Sequence, residues 1–311
     1  MDDDNPRREL AIRAAWLYHE RSFNQQAVAD RLGISRSTVS RLLADAARDG
    51  IVRVIVTEPL PETASLAEEL IEKYGLAGAT VEVALDGESP REGAATAMAR
   101  RLEHMVATGS TTIAAGWGRT LGAAAQRARR TRTSGVTLVD AFGHTTTANI
   151  APAVEVTNTL GLKFGARVMH IPSPGFAPSA EVAGNFFASE PVATALERAR
   201  KADMVMVAVG VIGAESLLVQ AGYLDEDAME EIIAAGAVGE VFGLYYDADG
   251  NAVKPDALHP ISLTLDDLRA SKRVIAAAGG VEKVEPVKGA IAAGIINELA
   301  IDDGLARALL A

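Results

Sequence analysis

The 311-residue sequence has no cysteine, which excludes disulfide bonds and any thiolate metal site. Its five histidines are scattered without the paired spacing of a zinc site, so we expect neither a metal nor a cofactor. The longest hydrophobic run, Met204 to Ala214, is far shorter than the roughly 20 residues of a membrane span. Because the acidic N-terminus also lacks an apolar signal core, the sequence predicts a soluble, cytoplasmic protein with no membrane partner.

The first 56 residues contain no lysine, but they hold nine arginines against eight acidic residues, a net charge of +1. The remainder has 21 basic and 33 acidic residues, and the whole chain carries −11. The N-terminal segment is therefore the only one of the two parts whose net charge does not repel the phosphates of DNA. We expect two domains, a small head at residues 1–57 and a larger domain at residues 58–311. A head of such low charge binds DNA weakly alone, which favours a dimer or tetramer.

Residues 24–43, NQQAVADRLGISRSTVSRLL, predict two short helices joined by a tight turn. Asn24 can cap a helix that begins at Gln25 and ends at Gly33, and Ser35 can cap a second helix at once. Four apolar residues of the second helix then fall on one buried stripe. They are Val39, Leu42, Leu43 and Ala46.

The opposite face of the second helix begins with short hydroxyls and arginines, which suit the floor of a DNA major groove. The β-branched residues from Ile51 to Val56 predict a wing strand, and residues 8–21 predict a first helix with Trp16 in the core. The predicted DNA contacts are Gln25, Gln26, Ser35, Arg36, Ser37, Thr38, Ser40, Arg41 and Arg53. Two alternatives remain. These spacings could merely pack two helices of an ordinary domain, or the head could contact another protein.

From Thr80 onward, short β-branched runs alternate with longer alanine-rich runs, which is typical of parallel strands covered by helices. The predicted strands are Thr80–Leu85, Thr111–Ala115, Val136–Asp140, Ala166–Ile171, Asp203–Gly210, Val241–Tyr246, Arg273–Ala277 and Ile295–Ile301. The predicted helices include Arg91–Ala107, Thr120–Arg130, Ala180–Ala188, Asp225–Ala235 and Glu282–Ala293. The fold class is therefore α/β, with a small all-α, winged helix-turn-helix head followed by a mostly parallel, Rossmann-like α/β domain.

Ligands of parallel sheets bind beyond the carboxyl ends of the strands, so the residues after each strand are candidates. One such loop consists of Gly116, Trp117, Gly118, Arg119 and Thr120. Its glycines free backbone N–H groups and its helix N-terminus attracts an anion, which predicts a phosphate-binding or sugar-binding loop. The alternative is a tight turn with a buried tryptophan. Since the loop lacks a P-loop lysine and the spacing of a dinucleotide fingerprint, neither ATP nor NAD is implied.

Polar residues also lie at the ends of three further strands. Asp140 and His144 could bind the hydroxyls of a polyol, or they could simply cap the next helix. Glu240, at the start of an apolar strand, could accept two sugar hydroxyls. Lys283 falls in the first turn of a helix after two glycines, which is a second position suited to an anion.

The head segments SRSTVSRLL and GIVRVIV resemble those of the SorC family of bacterial sugar-responsive transcriptional regulators. The resemblance continues through GWGRTL, ADMVMVAVGVIG, GAVGEVFGLYYDADGN and VIAAAGGVEKVEPVKGAIAAGIINELAIDD, and so covers nearly the whole chain. It implies an effector domain resembling sugar-phosphate isomerases, and a repressor or activator, usually tetrameric, whose affinity for operator DNA changes with a sugar, polyol or sugar phosphate.

The resemblance also implies roles for particular residues. Gly116–Thr120 would bind phosphate or hydroxyls, Glu240 hydroxyls and Lys283 a phosphate. Family members that hold an aldehyde sugar as a Schiff base have a lysine near the strand that corresponds to Val136–Asp140. This chain has no lysine from residue 133 to residue 162, so we expect noncovalent binding, and Asp140 there favours hydroxyls over phosphate.

A sugar-phosphate isomerase or lyase with a DNA-binding-like head is the alternative function. Catalysis needs a positioned acid and base, and only Glu240 and Lys283 could form such a pair among the candidate loops. We therefore expect a transcriptional regulator and not an enzyme.

Overall fold

The computed structural model describes residues 6–52, 61–109, 111–131, 133–145, 151–255 and 257–311. The chain divides into two compact units, Met1–Pro59 and Leu60–Ala311. The predicted boundary between residues 57 and 58 lies outside the described residues. So do most of the predicted wing strand and Arg53.

The described residues of the first unit form three α-helices, α1 Pro6–Ala15, α2 Gln25–Leu32 and α3 Arg36–Arg48. The predicted caps are confirmed. The Asn24 side chain accepts a hydrogen bond from the N–H of Ala27, and the Ser35 side chain accepts one from the N–H of Thr38. Gly33 ends α2 in the left-handed conformation, with φ of 67°. The predicted buried stripe of α3 is also confirmed, because Val39, Leu42 and Ala46 are buried and Leu43 packs against the same core.

The first helix differs from the prediction. It ends at Ala15, and a π-helical turn at Trp16–Glu20 follows it. The prediction that Trp16 lies in the core is wrong, because its side chain is 52% exposed and the Arg21 guanidinium lies 5.5 Å from its ring centroid. The buried stripe of this segment runs through Ala11, Ala14 and Leu17, and Trp16 lies off it.

A seven-stranded sheet, in which every neighbouring pair is parallel, forms the centre of the second unit. Its strands, in spatial order, are β1 Gly78–Glu82, β12 Glu298–Asp302, β11 Val274–Ala278, β6 Met204–Ala208, β2 Thr112–Ala115, β3 Thr137–Asp140 and β4 Arg167–Met169. Strands β6, β11 and β12 are almost wholly buried, which explains their continuous apolar sequences. The mostly parallel α/β class is thus confirmed.

Two smaller antiparallel sheets lie beside the main one. Strands β5 Phe176–Ala177 and β10 His259–Pro260 form one, and β7 Ala237–Val241, β8 Leu244–Asp247 and β9 Ala252–Val253 form the other. The prediction of a single strand at Val241–Tyr246 is therefore wrong. The chain reverses at Phe242 and Gly243, which both have positive φ. Because apolar residues continue through this turn, the hydrophobic pattern does not reveal it, and Glu240 comes near the end of β7 rather than at the start of a strand.

Helices cover the sheet on both faces, as the alternating pattern predicts. They are α4 Glu62–Tyr74, α5 Pro90–Ala107, α6 Arg119–Arg127, α7 Ala153–Phe164, α8 Ala180–Ala188, α9 Glu190–Arg200, α10 Leu217–Gln220, α11 Glu226–Ala234, α12 Leu265–Ala270, α13 Val284–Ala292 and α14 Asp303–Leu310. A 3₁₀ turn, Val281–Lys283, precedes α13. Among the described residues, no helix is both long and apolar enough to cross a membrane.

Candidate functional site

A cavity of about 390 Å³ opens at the carboxyl ends of β2, β6 and β11, three neighbouring strands of the parallel sheet. The segments that follow these strands line it. They contribute Trp117–Thr120 after β2, Val209–Val211 after β6, and Gly279, Glu282 and Lys283 after β11. Glu240 and Phe242 of the β7–β8 hairpin complete the wall. The cavity therefore occupies the position at which open parallel sheets bind ligands.

The loop Gly116–Thr120 lies at the cavity, but its glycine N–H groups are not free as the sequence predicts. The N–H of Gly116 donates to the Met206 carbonyl and that of Gly118 to the Ala151 carbonyl, each at 2.9 Å, so neither glycine amide is free for an anion. Gly116 is needed for space, because a Cβ there would lie 2.6 Å from the Phe242 ring. What the loop offers to a ligand is the uncapped start of α6 with the side chains of Arg119 and Thr120.

Glu240 is a buried carboxylate in the cavity wall, with 6% of its surface exposed. Its Oε2 accepts a hydrogen bond of 2.7 Å from the N–H of Gly243, which closes the hairpin turn. Backbone hydrogen bonds in both directions join Glu240 to Gly210, two residues after the end of β6. Burial raises the pKa of Glu240, while the bond from Gly243 and the charge of Lys283 act in the opposite direction.

Lys283 is the last residue of the 3₁₀ turn rather than part of the predicted helix Glu282–Ala293. Its ammonium group donates to the Val209 carbonyl at 2.6 Å, which joins the segment after β11 to the segment after the neighbouring strand β6. Burial lowers the pKa of Lys283, and the nearby charges of Glu240 and Glu282 partly offset this effect. An ammonium held in this way has two further N–H groups to donate to a ligand.

Aromatic rings form the wall beside the loop. Trp117 is almost fully buried and stacks on Phe142 with ring centroids 5.0 Å apart, and Phe142 stacks in turn on Phe242. The interpretation of this loop as a turn with a buried tryptophan and its interpretation as a ligand-binding loop are thus compatible. The same Trp117 packs in the core and lines the cavity.

The structure does not bring Asp140 and His144 to this cavity. The Asp140 carboxylate accepts hydrogen bonds from Thr157 Oγ1 at 2.8 Å and from the N–H of Ile171 at 3.3 Å, and its Oδ2 lies 3.0 Å from Nδ1 of His170. His144 has an exposed side chain, and its N–H donates to the Ser173 carbonyl. Of the nine predicted effector residues, six line the cavity, whereas Gly116, Asp140 and His144 do not.

Three charged residues of the cavity were missed by the sequence analysis. Arg91 comes from the start of α5, Glu215 from the segment before α10, and Glu282 from the 3₁₀ turn. Among the described residues, the guanidinium groups of Arg91 and Arg119 make no hydrogen bond or ion pair. The segment SPRE at residues 89–92 carried a usable signal, because a capping box with a proline inside it marks the start of the helix that brings Arg91 to the cavity.

In the first unit, the outward face of α3 carries the predicted DNA contacts. Ser35, Arg36, Ser37, Ser40 and Arg41 are exposed. Within the described part of the chain, the Arg36 and Arg41 side chains form no hydrogen bond or ion pair. In contrast, Arg48 on the same helix is held by Asp45 at 2.7 Å and Asp49 at 3.2 Å.

The remaining predicted contacts of the first unit differ in exposure. Gln26 is exposed and donates to Asp30 at 2.9 Å, whereas Gln25 and Thr38 are half-buried. The Ser35 hydroxyl lies 2.8 Å from the hydroxyls of both Ser37 and Thr38, so these three side chains form one connected group at the start of α3.

Comparison with known proteins gives matches over the whole chain. Residues 58–311 match the Sugar-bind family model, described as a sugar-binding domain, and residues 5–55 match a homeodomain-like domain model. The chain is 30% identical, over 97% of its length, to the erythritol catabolism regulatory protein EryD of Brucella abortus, and covers 96% of that protein. It is 29% identical, over 99% of its length, to the deoxyribonucleoside regulator of Bacillus subtilis, and covers 99% of that protein.

A solved structure gives the same fold. The full-length sorbitol operon regulator SorC from Klebsiella pneumoniae superposes with a TM-score of 0.74 at 21% sequence identity. The match covers 99% of this chain and 100% of the other. At this identity, the likeness concerns the fold.

Proposed function

The chain belongs to the Sugar-bind family, as a SorC-type transcriptional regulator, and from this premise we propose that it binds operator DNA through its N-terminal unit under the control of a sugar-type effector. The effector binds in the cavity at the carboxyl ends of β2, β6 and β11. The isomerase or lyase alternative finds no support among the relatives, which are named as regulators.

The observation that carries this proposal is the mixture of groups around one cavity. Thr120 and Glu240 offer a hydroxyl and a carboxylate, Lys283 offers an ammonium, and Trp117 offers an apolar wall. Sugars and polyols present dense hydroxyls on an apolar frame, and such a mixture of oriented polar groups and an aromatic surface recognises them. We therefore assign Trp117, Gly118, Arg119, Thr120, Glu240 and Lys283 as effector contacts.

Six charged side chains line the same cavity, three cations and the three carboxylates of Glu215, Glu240 and Glu282. Among the described residues, the guanidinium groups of Arg91 and Arg119 have no hydrogen-bond or ion-pair partner, whereas the Lys283 ammonium already donates to the Val209 carbonyl. Hydrogen bonds between such cations and a phosphate are roughly twice as strong as neutral ones. A polyol phosphate or sugar phosphate offers its phosphate to the cations and its hydroxyls to the carboxylates, so we propose this class of effector over a free polyol.

For DNA, we propose the exposed start of α3 as the part that enters the major groove. Among the described residues, the Arg36 and Arg41 side chains there have no hydrogen-bond or ion-pair partner, and the group Ser35, Ser37 and Thr38 is small enough to let the helix approach the bases. Ser40, Gln25 and Gln26 complete the proposed contact surface. We further propose that the chain acts as a dimer or tetramer, because several weakly charged heads together reach useful affinity.

The test uses the full-length chain. A duplex that the chain prefers is first selected from a random DNA library, and its affinity is then measured with and without erythritol, sorbitol, erythritol 4-phosphate, sorbitol 6-phosphate and 2-deoxyribose 5-phosphate. We expect a salt-dependent affinity for the duplex and a change of at least about fivefold with one phosphorylated compound. Turnover of any of these compounds without an effect on DNA binding would overturn the proposal.

A further inference from the structure

The residue Asp302, at the end of β12, bridges the effector cavity and the C-terminal helix. Its carboxylate is 3% exposed, and each of its oxygens accepts a different backbone bond. Oδ1 accepts from the N–H of Gly280 at 2.8 Å, and Oδ2 accepts from the N–H of Leu305 at 3.2 Å. Gly280 stands between Gly279 and Glu282, which both line the cavity. Leu305 belongs to the first turn of α14, which Asp302 caps.

The packing around Asp302 leaves its carboxylate little freedom. A Cβ on Gly304 would lie 2.9 Å from Oδ2, and a Cβ on Gly93 would lie 3.2 Å from the Asp302 Cβ. Because a buried donor that loses its acceptor is costly, a displacement of Gly280 must either move the carboxylate or break its bond. Either outcome changes the acceptor available to the first turn of α14.

The last turn of helix α14 is bonded to both ends of α4. At the end of α4, the Tyr74 hydroxyl donates to the Leu309 carbonyl at 2.6 Å, and the Lys73 ammonium donates to the carbonyls of Leu309 and Leu310. At the start of α4, Glu62 pairs with Arg307, also in the last turn of α14, at 2.6 Å. Among the described residues, α4 is the first helix that follows the DNA-binding unit in the sequence.

We infer that Asp302 is a positioning residue that couples the effector cavity to the DNA-binding unit, through α14 and then α4. The inference rests on the proposed function, which it extends from binding to regulation. An effector that contacts Lys283 or Glu282 moves the Gly279–Lys283 segment. Asp302 transmits this movement to the start of α14. Helix α14 then transmits it to α4 through its bonds with Tyr74, Lys73 and Glu62. Coupling between distant sites is carried by contiguous packed and hydrogen-bonded groups, and Asp302, α14 and α4 form such a series.

The test substitutes Asp302→Asn in the full-length chain. An asparagine can still accept one of the two backbone bonds, but its amide N–H₂ cannot accept the other. With erythritol 4-phosphate and erythritol as probes, we expect probe affinity and DNA affinity each to stay within about threefold of the unsubstituted chain. The change in DNA affinity that the probe causes should fall from an ordinary allosteric factor of about 5 to 150 to less than about threefold.

Asp225→Asn is the matched control. Asp225 caps α11 by accepting from the N–H of Ala228 at 2.8 Å, and it does not line the cavity. This variant should keep the full response to the probe. A second variant, Tyr74→Phe, removes one of the two side-chain bonds to the Leu309 carbonyl at a position that does not line the cavity, and it should reduce the response to the probe. The double variant, which carries Tyr74→Phe and Asp302→Asn, should lose no more of the response to the probe than Asp302→Asn alone, since both residues belong to one route.

Three results would overturn the inference. They are a normal response in Asp302→Asn or in Tyr74→Phe, a loss of probe affinity of more than tenfold in either, or an equal loss of response in Asp225→Asn. If neither probe changes the DNA affinity of the unsubstituted chain, that result counts against the proposed effector alone. Amide hydrogen exchange then decides on the coupling. Without ligand, Asp302→Asn should speed exchange in both α14 and α4, and unchanged exchange in α4 contradicts it.

Discussion

The carboxylate of Glu240 occupies the place where a side chain on Gly210 would begin. A Cβ built on Gly210 would lie 1.8 Å from Oε1 of Glu240, and the two residues are joined by backbone hydrogen bonds. The end of β6 and the β7–β8 hairpin therefore meet with a buried acid between them. A glycine is required at position 210 because of its neighbour, although its own backbone conformation is not in the left-handed region.

Gly210→Ala should displace the Glu240 carboxylate from the cavity wall and break its bond to Gly243. We expect the protein to lose about 1–3 kcal/mol of stability, typical of overpacking, and its DNA binding to become insensitive to the effector. Gly184→Ala is the control, because a Cβ on this helical glycine meets nothing within 4 Å. Denaturant unfolding and a DNA titration with effector measure both effects. A normal effector response in Gly210→Ala would show that Glu240 is not a contact.

Glu240→Gln should change how stability depends on pH. Burial raises the pKa of Glu240, so the folded chain binds this proton more tightly than the unfolded chain does. The ionised carboxylate thus opposes folding at high pH, and this cost disappears as the pH falls through the raised pKa. Glutamine keeps an oxygen to accept from the N–H of Gly243 but cannot ionise.

The variant should therefore melt above the unsubstituted chain at pH 8, by about 2–4 °C for each 1 kcal/mol of cost removed. The difference in melting temperature between the two proteins should narrow toward pH 5. Thermal unfolding at a series of pH values measures this difference. A gap that is constant with pH, or that widens as the pH falls, contradicts the direction of the pKa shift.

The head and the sheet could be predicted from local signals. Asn24, Gly33 and Ser35 are residues whose side chains or backbone freedom fix helix ends, and the structure has those ends at these positions. The buried strands β6 and β11 show as continuous apolar runs for the same reason. Such features depend on a few adjacent residues, so the sequence contains them.

The cavity could be predicted only in part, because its walls come from distant segments. The rule that ligands bind at strand ends correctly brought together Trp117, Thr120 and Lys283. The same rule failed for Asp140, which also follows a parallel strand, because Thr157, the Ile171 amide and His170 take up its carboxylate. Whether a carboxylate is free or internally bonded depends on tertiary neighbours, which no local pattern records.

Arg41→Ala should weaken DNA binding without affecting folding. The guanidinium is exposed on α3 and is not needed for packing, so we expect a loss of about 1–3 kcal/mol in affinity for the selected duplex. Arg48→Ala on the same helix is the matched control. Its guanidinium is already paired with Asp45 and Asp49, so its removal should cost distinctly less. Equal losses in a gel-shift titration would mean that general charge, rather than the position of Arg41, decides the affinity.

The assembly state follows from the charge distribution. A unit of low positive charge on a strongly acidic chain holds DNA tightly only when several units bind together. We expect at least a dimer by light scattering at micromolar concentration, and a selected duplex with repeated or palindromic half-sites. A monomer that binds a single half-site tightly would contradict this expectation.

Lys283→Ala should separate a phosphorylated effector from a neutral one. The ammonium is held by the Val209 carbonyl, and the side chain lines the cavity. For a polyol phosphate, its removal takes away a charge-assisted hydrogen bond worth about 1.5–3 kcal/mol, which corresponds to a roughly tenfold to hundredfold weaker affinity for the effector. For a free polyol, only a neutral hydrogen bond of about 0.5–1.5 kcal/mol is lost.

Lys288→Ala supplies the control, because Lys288 is an exposed residue of α13 that pairs with Glu285 and does not line the cavity. Thr120→Ala tests the opposite side of the site, and it should weaken both classes of compound by a similar, smaller factor. The quantity to compare is the ratio of the concentrations of the two compounds that cause half of the full change in DNA affinity. If Lys283→Ala leaves this ratio for erythritol 4-phosphate against erythritol unchanged, then Lys283 does not contact a phosphate, and the anion must bind Arg91 or Arg119 instead.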